Sequence, residues 1–198
     1  STSSFCEARQ VLPLEMLQAV HHSLTEQLDA QLPDSSLWRG HRVKAEDGTS
    51  AQMPDTNRNR EAYPYPSGSK PGCGHPVIRL GGLIDLGHGG LQDFSFSKFQ
   101  TSELRGHDAL ESYLEPGDIH VSDRLYSSYE IIARHLGKGV HSIGRLHQAR
   151  KIDYRKGLKL GPNDRLQTLQ KPPAQPKRSR LTKEQWASLP ATLEVRII

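Results

Sequence analysis

Two aspartates in this 198-residue sequence stand where a carboxylate can do chemistry. Asp47 closes a short stretch of strand-forming residues, Arg42 to Asp47, and precedes Gly48-Thr49. Asp123 closes another, Asp118 to Asp123, and precedes Arg124 and a helical pattern. Acids at strand ends of a mixed sheet point into the crevice outside the sheet edge, where two converging carboxylates hold hard cations through oxygen ligands. Mg²⁺ or Mn²⁺ is the ion such a pair takes. Paired ions activate a water or a 3′ hydroxyl and stabilise the leaving oxygen of an in-line phosphoryl transfer, with no covalent nucleophile from the protein. The plain alternatives are an Asp-Gly turn for Asp47 and a helix cap or ion-pair partner for Asp123.

Other residue types point to nucleic acid or to nothing in particular. Arg124 is placed either to contact phosphate or to pair with a carboxylate inside the fold. Lys70, Lys171, Lys177, Arg178 and Arg180 could follow a DNA backbone, and Tyr63, Tyr65 and Trp186 could stack on an unpaired base; ordinary exposure is the alternative for all of them. Glu103, in Thr101-Ser102-Glu103, reads best as a favourable charge in a first helical turn. Cys73-Gly74-His75 with Cys6 and His21 lacks the Cys-x-x-Cys halves of a zinc centre, and the 10 histidines, His21-His22, His141 and His147 among them, define no Ser-His-Asp triad.

These residues need elements to position them. Leu14, Leu17, Leu24, Leu28 and Leu32 recur at helical spacing between Pro13 and Pro33. Arg42 to Asp47 reads as a strand running into a turn or a second strand, and 54–76 as a long loop. Val77 to Leu86 and Leu91 to Phe99 flank a Gly-His-Gly-Gly turn and predict a hairpin. A helix follows Thr101 through Leu104, Leu110 and Leu114 and ends at Pro116-Gly117. After the strand 118–123, Ser127 or Ser128 caps a helix over Tyr129 to Leu136 that stops at Gly137, and Val140 to Leu146 is a further strand. Beyond His147 only weak strand patterns appear, with a Pro-rich basic stretch from Lys171 to Arg180. The order strand, hairpin, helix, strand, helix, strand predicts an α/β fold with a mixed sheet and flanking helices. The chain divides on this reading into a helical segment 1–36, a core 37–146 and a basic strand-rich segment 147–198.

Composition agrees with a folded protein that handles polyanions. Mean hydropathy is −0.65, so the core must come from a few concentrated segments. Residues 147–198 hold 12 Lys or Arg against 4 Asp or Glu, a balance of +8, while 1–146 carry −4, which suits a phosphate-binding surface beside a cation-binding acidic site. No apolar run suggests a membrane span or a signal peptide, and two distant cysteines, Cys6 and Cys73, suit free thiols in a reducing, intracellular setting. A start at Ser1 and an apparent strand from Leu193 to Ile198 suggest that both ends are artificial.

Phe5-Cys6-Glu7-Ala8-Arg9, Leu12-Pro13, Asp47-Gly48-Thr49, Met53-Pro54-Asp55-Thr56, Lys70-Pro71-Gly72-Cys73-Gly74, Thr101-Ser102-Glu103 and Asp123-Arg124 stand in an order that resembles bacterial insertion-sequence transposases of the DDE class. Arg150, Asp153, Gly161, Asp164 and Lys171-Pro172 resemble that family's strand-rich insertion. The resemblance implies an RNase H-like core, with Asp47 matching the first catalytic acid and Asp123 the second. It implies Mg²⁺ or Mn²⁺ as cofactor, cut-and-paste transposition as the reaction, and element-end and target DNA as partners. A possible homodimer on DNA follows, in the bacterial cytoplasm at the nucleoid. The family's third acid is a Glu within a Tyr, Arg, Glu, Lys signature that this sequence lacks; neither Glu184 nor Glu194 has the preceding Tyr and Arg. Leu125 replaces the small residue that often follows Asp-Arg. The expectation is thus a C-terminally truncated transposase, with an inactive DNA-binding remnant or an RNase H-like nuclease as alternatives.

Overall fold

The computed structural model describes residues 2–66, 68, 74–101, 104–146, 152–177 and 179–198. Lys70, Cys73, Glu103, Arg150 and Arg178 lie outside the described residues. The chain forms two compact units, Ser1–Tyr113 and Leu114–Ile198.

The first unit opens with α1 (Thr2–Gln10), which sequence periodicity did not reveal, and α2 (Leu14–Ala30), which follows Pro13 as expected. Strand β1 (Val43–Gln52) comes next, then the short helix α3 (Asn57–Ala62) inside the expected loop, capped by Thr56. The hairpin β2 (Val77–Asp85) and β3 (Leu91–Lys98) precedes α4 (Leu104–Leu110) and a 3₁₀ turn over Glu111–Tyr113. β1, β2 and β3 form an antiparallel meander. Its register corrects one expectation: Asp47 does not close β1 but sits in its middle, opposite Gly82, with Gly48 opposite Gly81 and the ladder continuing to Gln52 and Val77. The full length of β2 is available as a pairing partner, and a ladder of nine paired residues, Lys44 to Gln52, overrides the turn tendency of Asp-Gly.

Side chains alternate across β1, so Lys44 and Glu46 share one face and Asp47 takes the other. The Lys44 and Glu46 face is buried, with both residues at most 3% exposed. There the Lys44 ammonium donates to the Tyr113 carbonyl at 2.7 Å, and His107 Nδ1 of α4 donates to Glu46 Oε2 at 2.7 Å. Gly106 makes this close approach possible: a Cβ at that position would lie 2.5 Å from Ser95 Oγ on β3. α2 behaves differently. Its Leu14, Leu17, Leu24 and Leu28 are each at least 40% exposed, and polar groups attach the helix to the sheet.

The second unit contains β4 (Ile119–Ser122), α5 (Tyr129–Lys138) and β5 (His141–Gly144), in which β4 and β5 pair in parallel. Ser128 caps α5, its hydroxyl accepting from the Ile131 amide at 3.2 Å. The helix stops at Gly139 rather than at Gly137, because Gly139 takes the left-handed conformation (φ 77°) that releases the chain into β5. β6 (Leu158–Gly161), β7 (Asp164–Gln170), α6 (Lys183–Ser188) and β8 (Thr192–Ile197) follow, with β6, β7 and β8 in one antiparallel sheet. Tyr129 and Ala133 of α5 bury against Leu193, Leu169 and Val195, and the Tyr129 hydroxyl donates to the Pro190 carbonyl at 2.7 Å.

Antiparallel and parallel strand pairs occur together with helices, so the protein is of mixed α/β class. Among the described residues, no helix is long and apolar enough to cross a membrane.

The Glu46–His107 pair is buried on both sides, so removing one partner strands a polar group in the core. His107→Ala is expected to lower unfolding free energy by about 3–5 kcal/mol in urea titrations, whereas Asp47→Asn on the opposite face changes it by less than about 0.5 kcal/mol. Equal effects of the two substitutions would contradict the assigned register.

Candidate functional site

Asp47 lies in the first unit and Asp123 in the second, and both are exposed. Gly82 lies directly across the ladder from Asp47, and the Leu91 side chain fills the place a side chain at Gly82 would take, a Cβ there lying 3.1 Å from Leu91 Cδ1. Asp123 is the residue after β4, where the chain turns before α5. Its Oδ1 accepts from the Leu125 amide at 2.7 Å, an Asx turn that fixes the carboxylate at the start of the connection. Leu125 enters this turn through its backbone amide, and its larger side chain leaves the turn intact.

Their partners separate these two acids from the arginine-paired aspartates. Among the described residues, the Asp47 carboxylate accepts from the following amide alone, Gly48, at 2.8 Å, and that of Asp123 from Leu125 alone. Among the described residues no side chain donates to either carboxylate. Other acids are clasped by arginine: Asp55 by Arg60, Asp153 by Arg155, Asp164 by Arg196, and Asp29 and Asp85 by Arg42. The arginines hold the Asp55, Asp153 and Asp164 carboxyls below the ordinary carboxylate range, with the Tyr65 hydroxyl as the larger cause at Asp55. A carboxylate already paired in this way offers poor ligand capacity, whereas Asp47 and Asp123 keep most of their lone pairs. Each offers carboxylate oxygens, the donor type that hard cations take.

Acidic and histidine groups elsewhere in the first unit also bring ligand atoms together: Asp29, Asp85 and His88 lie within 4.8 Å of one another, as do His21, His22 and Asp93. The first group is occupied internally. Arg42 bridges Asp29 and Asp85, Gln92 Nε2 donates to Asp29 at 2.8 Å, and His88 uses both ring nitrogens, accepting from the Gly90 amide at 2.9 Å and reaching Asp29 at 3.1 Å. Nothing in the sequence links positions 29, 42, 85 and 88 by period or spacing, and this cluster escaped sequence reading for that reason.

The basic residues divide. Lys177, Arg180 and Arg124 are exposed. Lys171 has another role: its ammonium donates to the carbonyls of Trp186, Ala187 and Leu189 at 3.0–3.2 Å and caps the end of α6, which uses all three of its protons. Trp186 is 8% exposed, beneath the Lys171 cation, so it is a core residue and not a stacking platform. The Tyr65 hydroxyl donates to Asp55 at 2.7 Å. Glu184 sits in the first turn of α6, where backbone and Thr182 hydrogen bonds hold its carboxyl low, and Glu194 stands on β8 opposite Thr168.

No protein-family model matches the chain, and no curated protein matches it.

Burial raises the Asp29 carboxyl pKa, but hydrogen bonds from Arg42, Gln92 and His88 outweigh it, and the folded value lies below the ordinary 3.8. A depressed acid stabilises the fold above its unfolded pKa and loses that contribution as pH falls through the folded value. Urea midpoints followed from neutral pH to about pH 3 are therefore expected to fall more steeply for the wild type than for Asp29→Asn. Parallel curves would contradict the network.

Proposed function

We propose that this chain is part of a DDE transposase, in which Asp47 and Asp123 are carboxylates that hold the divalent cations for DNA strand cleavage and strand transfer. The observation that carries the reading is that Asp47 and Asp123 are exposed and, among the described residues, take no side-chain donor, whereas five other aspartates are clasped by arginine. The element order supports it: three strands in a meander, a helix, a strand, a helix and a parallel strand follow one another as an RNase H-like core requires. The ordered series of motifs around Asp47 and Asp123 points the same way.

Asp47 and Asp123 would hold Mg²⁺ or Mn²⁺, and the bound ions supply Lewis acidity at the attacking and leaving oxygens of the scissile phosphate. The chain's own residues do the rest. The Asx turn at Asp123 orients that carboxylate, and the Asp47 carboxylate stands exposed on β1. Arg124 beside the second acid would neutralise a phosphate, and Lys177 and Arg180, exposed in the segment of +8 balance, would add contacts to the DNA backbone. A DDE site takes a third carboxylate. Glu184 serves the first turn of α6 and Glu194 lacks the signature, so the proposal assigns two acids to this chain.

Two readouts test the reading. Duplex affinity measured by fluorescence anisotropy is expected to fall steeply between about 50 and 200 mM salt, and Lys177→Ala or Arg180→Ala each to reduce the log–log slope by about 1. In the protein that carries the third acid, Asp47→Asn and Asp123→Asn each abolish Mg²⁺-dependent cleavage while duplex binding in Ca²⁺ persists. Cleavage that survives either substitution, or affinity indifferent to salt, contradicts the proposal.

A further inference from the structure

We propose that His21, His22 and Asp93 form a binding site for a transition-metal dication of the zinc class, built from different residues and a different donor set than the two aspartates. The argument starts from one ring. His21 Nε2 lies 3.0 Å from the Leu91 carbonyl, which can only accept, so Nε2 carries the proton and the lone pair resides on Nδ1. That Nδ1 is shielded from solvent and has no hydrogen-bond partner among the described residues. A shielded ring nitrogen without a partner is unfavourable, and a cation is one species that satisfies it.

Two further residues that can ligate a metal lie beside this ring. Adjacent helix positions normally diverge, yet the His21 and His22 rings stay close, with centroids 5.6 Å apart at 57°. Asp93 comes from β3, where the pairing with β2 shifts register between Leu83 and Ile84, and one ligand atom from each of the three residues lies within 4.8 Å of the others. Each first ligand has a support behind it. The Leu91 carbonyl fixes the His21 tautomer, and the Phe94 ring packs edge-on against it at 5.6 Å. The Asp93 carboxylate accepts from the Phe94 amide at 2.8 Å and from the Tyr113 hydroxyl. A carbonyl behind a histidine and a hydroxyl behind a carboxylate are the supports that orient metal ligands.

Two imidazoles and one carboxylate suit a borderline cation such as Zn²⁺ and not Mg²⁺, and the exposure of His22 leaves a fourth position for water. The neighbouring group of Asp29, Asp85 and His88 shows the contrast, since Arg42 fills it and both His88 nitrogens are engaged. A bound cation also has structural work here. α2 keeps its leucines exposed and meets β3 through polar groups, so a dication bridging His21, His22 and Asp93 would staple helix to strand.

Co²⁺ titration of the purified chain, read by the visible absorption of a four-coordinate ion, tests the site. The expected result is a saturable spectrum at one equivalent, displaced by Zn²⁺ and unaffected by excess Mg²⁺. Tyr113→Phe, which removes only the support behind Asp93, weakens binding about tenfold, and His22→Gln and Asp93→Asn weaken it further, while His88→Gln leaves it unchanged. Because His22 is exposed, His22→Gln is expected to fold like the wild type, and Zn²⁺ raises the melting temperature of the wild type but not of this variant. Co²⁺ affinity that is absent, or that is the same in the wild type, His22→Gln and Asp93→Asn, overturns the proposal.

Discussion

The buried pair between Glu46 and His107 decides which way β1 faces. Side chains on a strand alternate, so the face carrying Glu46 cannot carry Asp47. With α4 seated on Glu46, Lys44 drawn to the Tyr113 carbonyl and Gly106 admitted close to Ser95, the buried face of the meander is specified, and Asp47 is left outward. A slip of one residue would bury Asp47 against α4 and expose Glu46. The charge that looks most like a core mistake is therefore what keeps the candidate metal ligand in solvent.

The same economy of partners runs through the acids. Arginine pairs absorb Asp29, Asp55, Asp85, Asp153 and Asp164, each by a local or cross-strand contact that leaves little ligand capacity. Among the described residues, Asp47 and Asp123 take only a backbone amide each, which orients a carboxylate without neutralising it. In the second unit the basic balance has a comparable division of labour. Lys171 closes α6 over Trp186, while Lys177 and Arg180 remain at the surface.

Much of this was readable from residue order because it is local. Proline boundaries and leucine spacing located α2, a Gly-rich turn located the β2–β3 hairpin, and Ser128 located the start of α5. Errors arose where tertiary pairing outweighed local preference. Asp47-Gly48 reads as a turn but continues as strand because β2 pairs along its whole length, and Gly137 reads as a stop although the left-handed cap falls to Gly139. The leucine spacing located α2, but its Leu14, Leu17, Leu24 and Leu28 are exposed. Helices α1, α3 and α6 are short or weakly patterned, and α6 depends on the Thr182 and Gln185 capping box more than on periodicity. Of the proposed site, Asp123 does follow a strand as its flanking residues suggested, whereas Asp47 lies mid-strand. The Glu46–His107 pair and the His21, His22 and Asp93 group were not legible in the sequence, because their members are joined only by folding.

The claim on which the functional account rests is that Asp47 and Asp123 bind the same divalent cations. Fe²⁺ substituted for Mg²⁺ generates hydroxyl radicals at its ligands in the presence of ascorbate and peroxide, and the resulting chain cuts are mapped by mass spectrometry. The account predicts cuts in β1 beside Asp47 and in the turn beside Asp123, both suppressed by excess Mg²⁺ and both lost together in Asp47→Asn. Cuts at only one of the two places, or cuts at both that persist in Asp47→Asn, would contradict it.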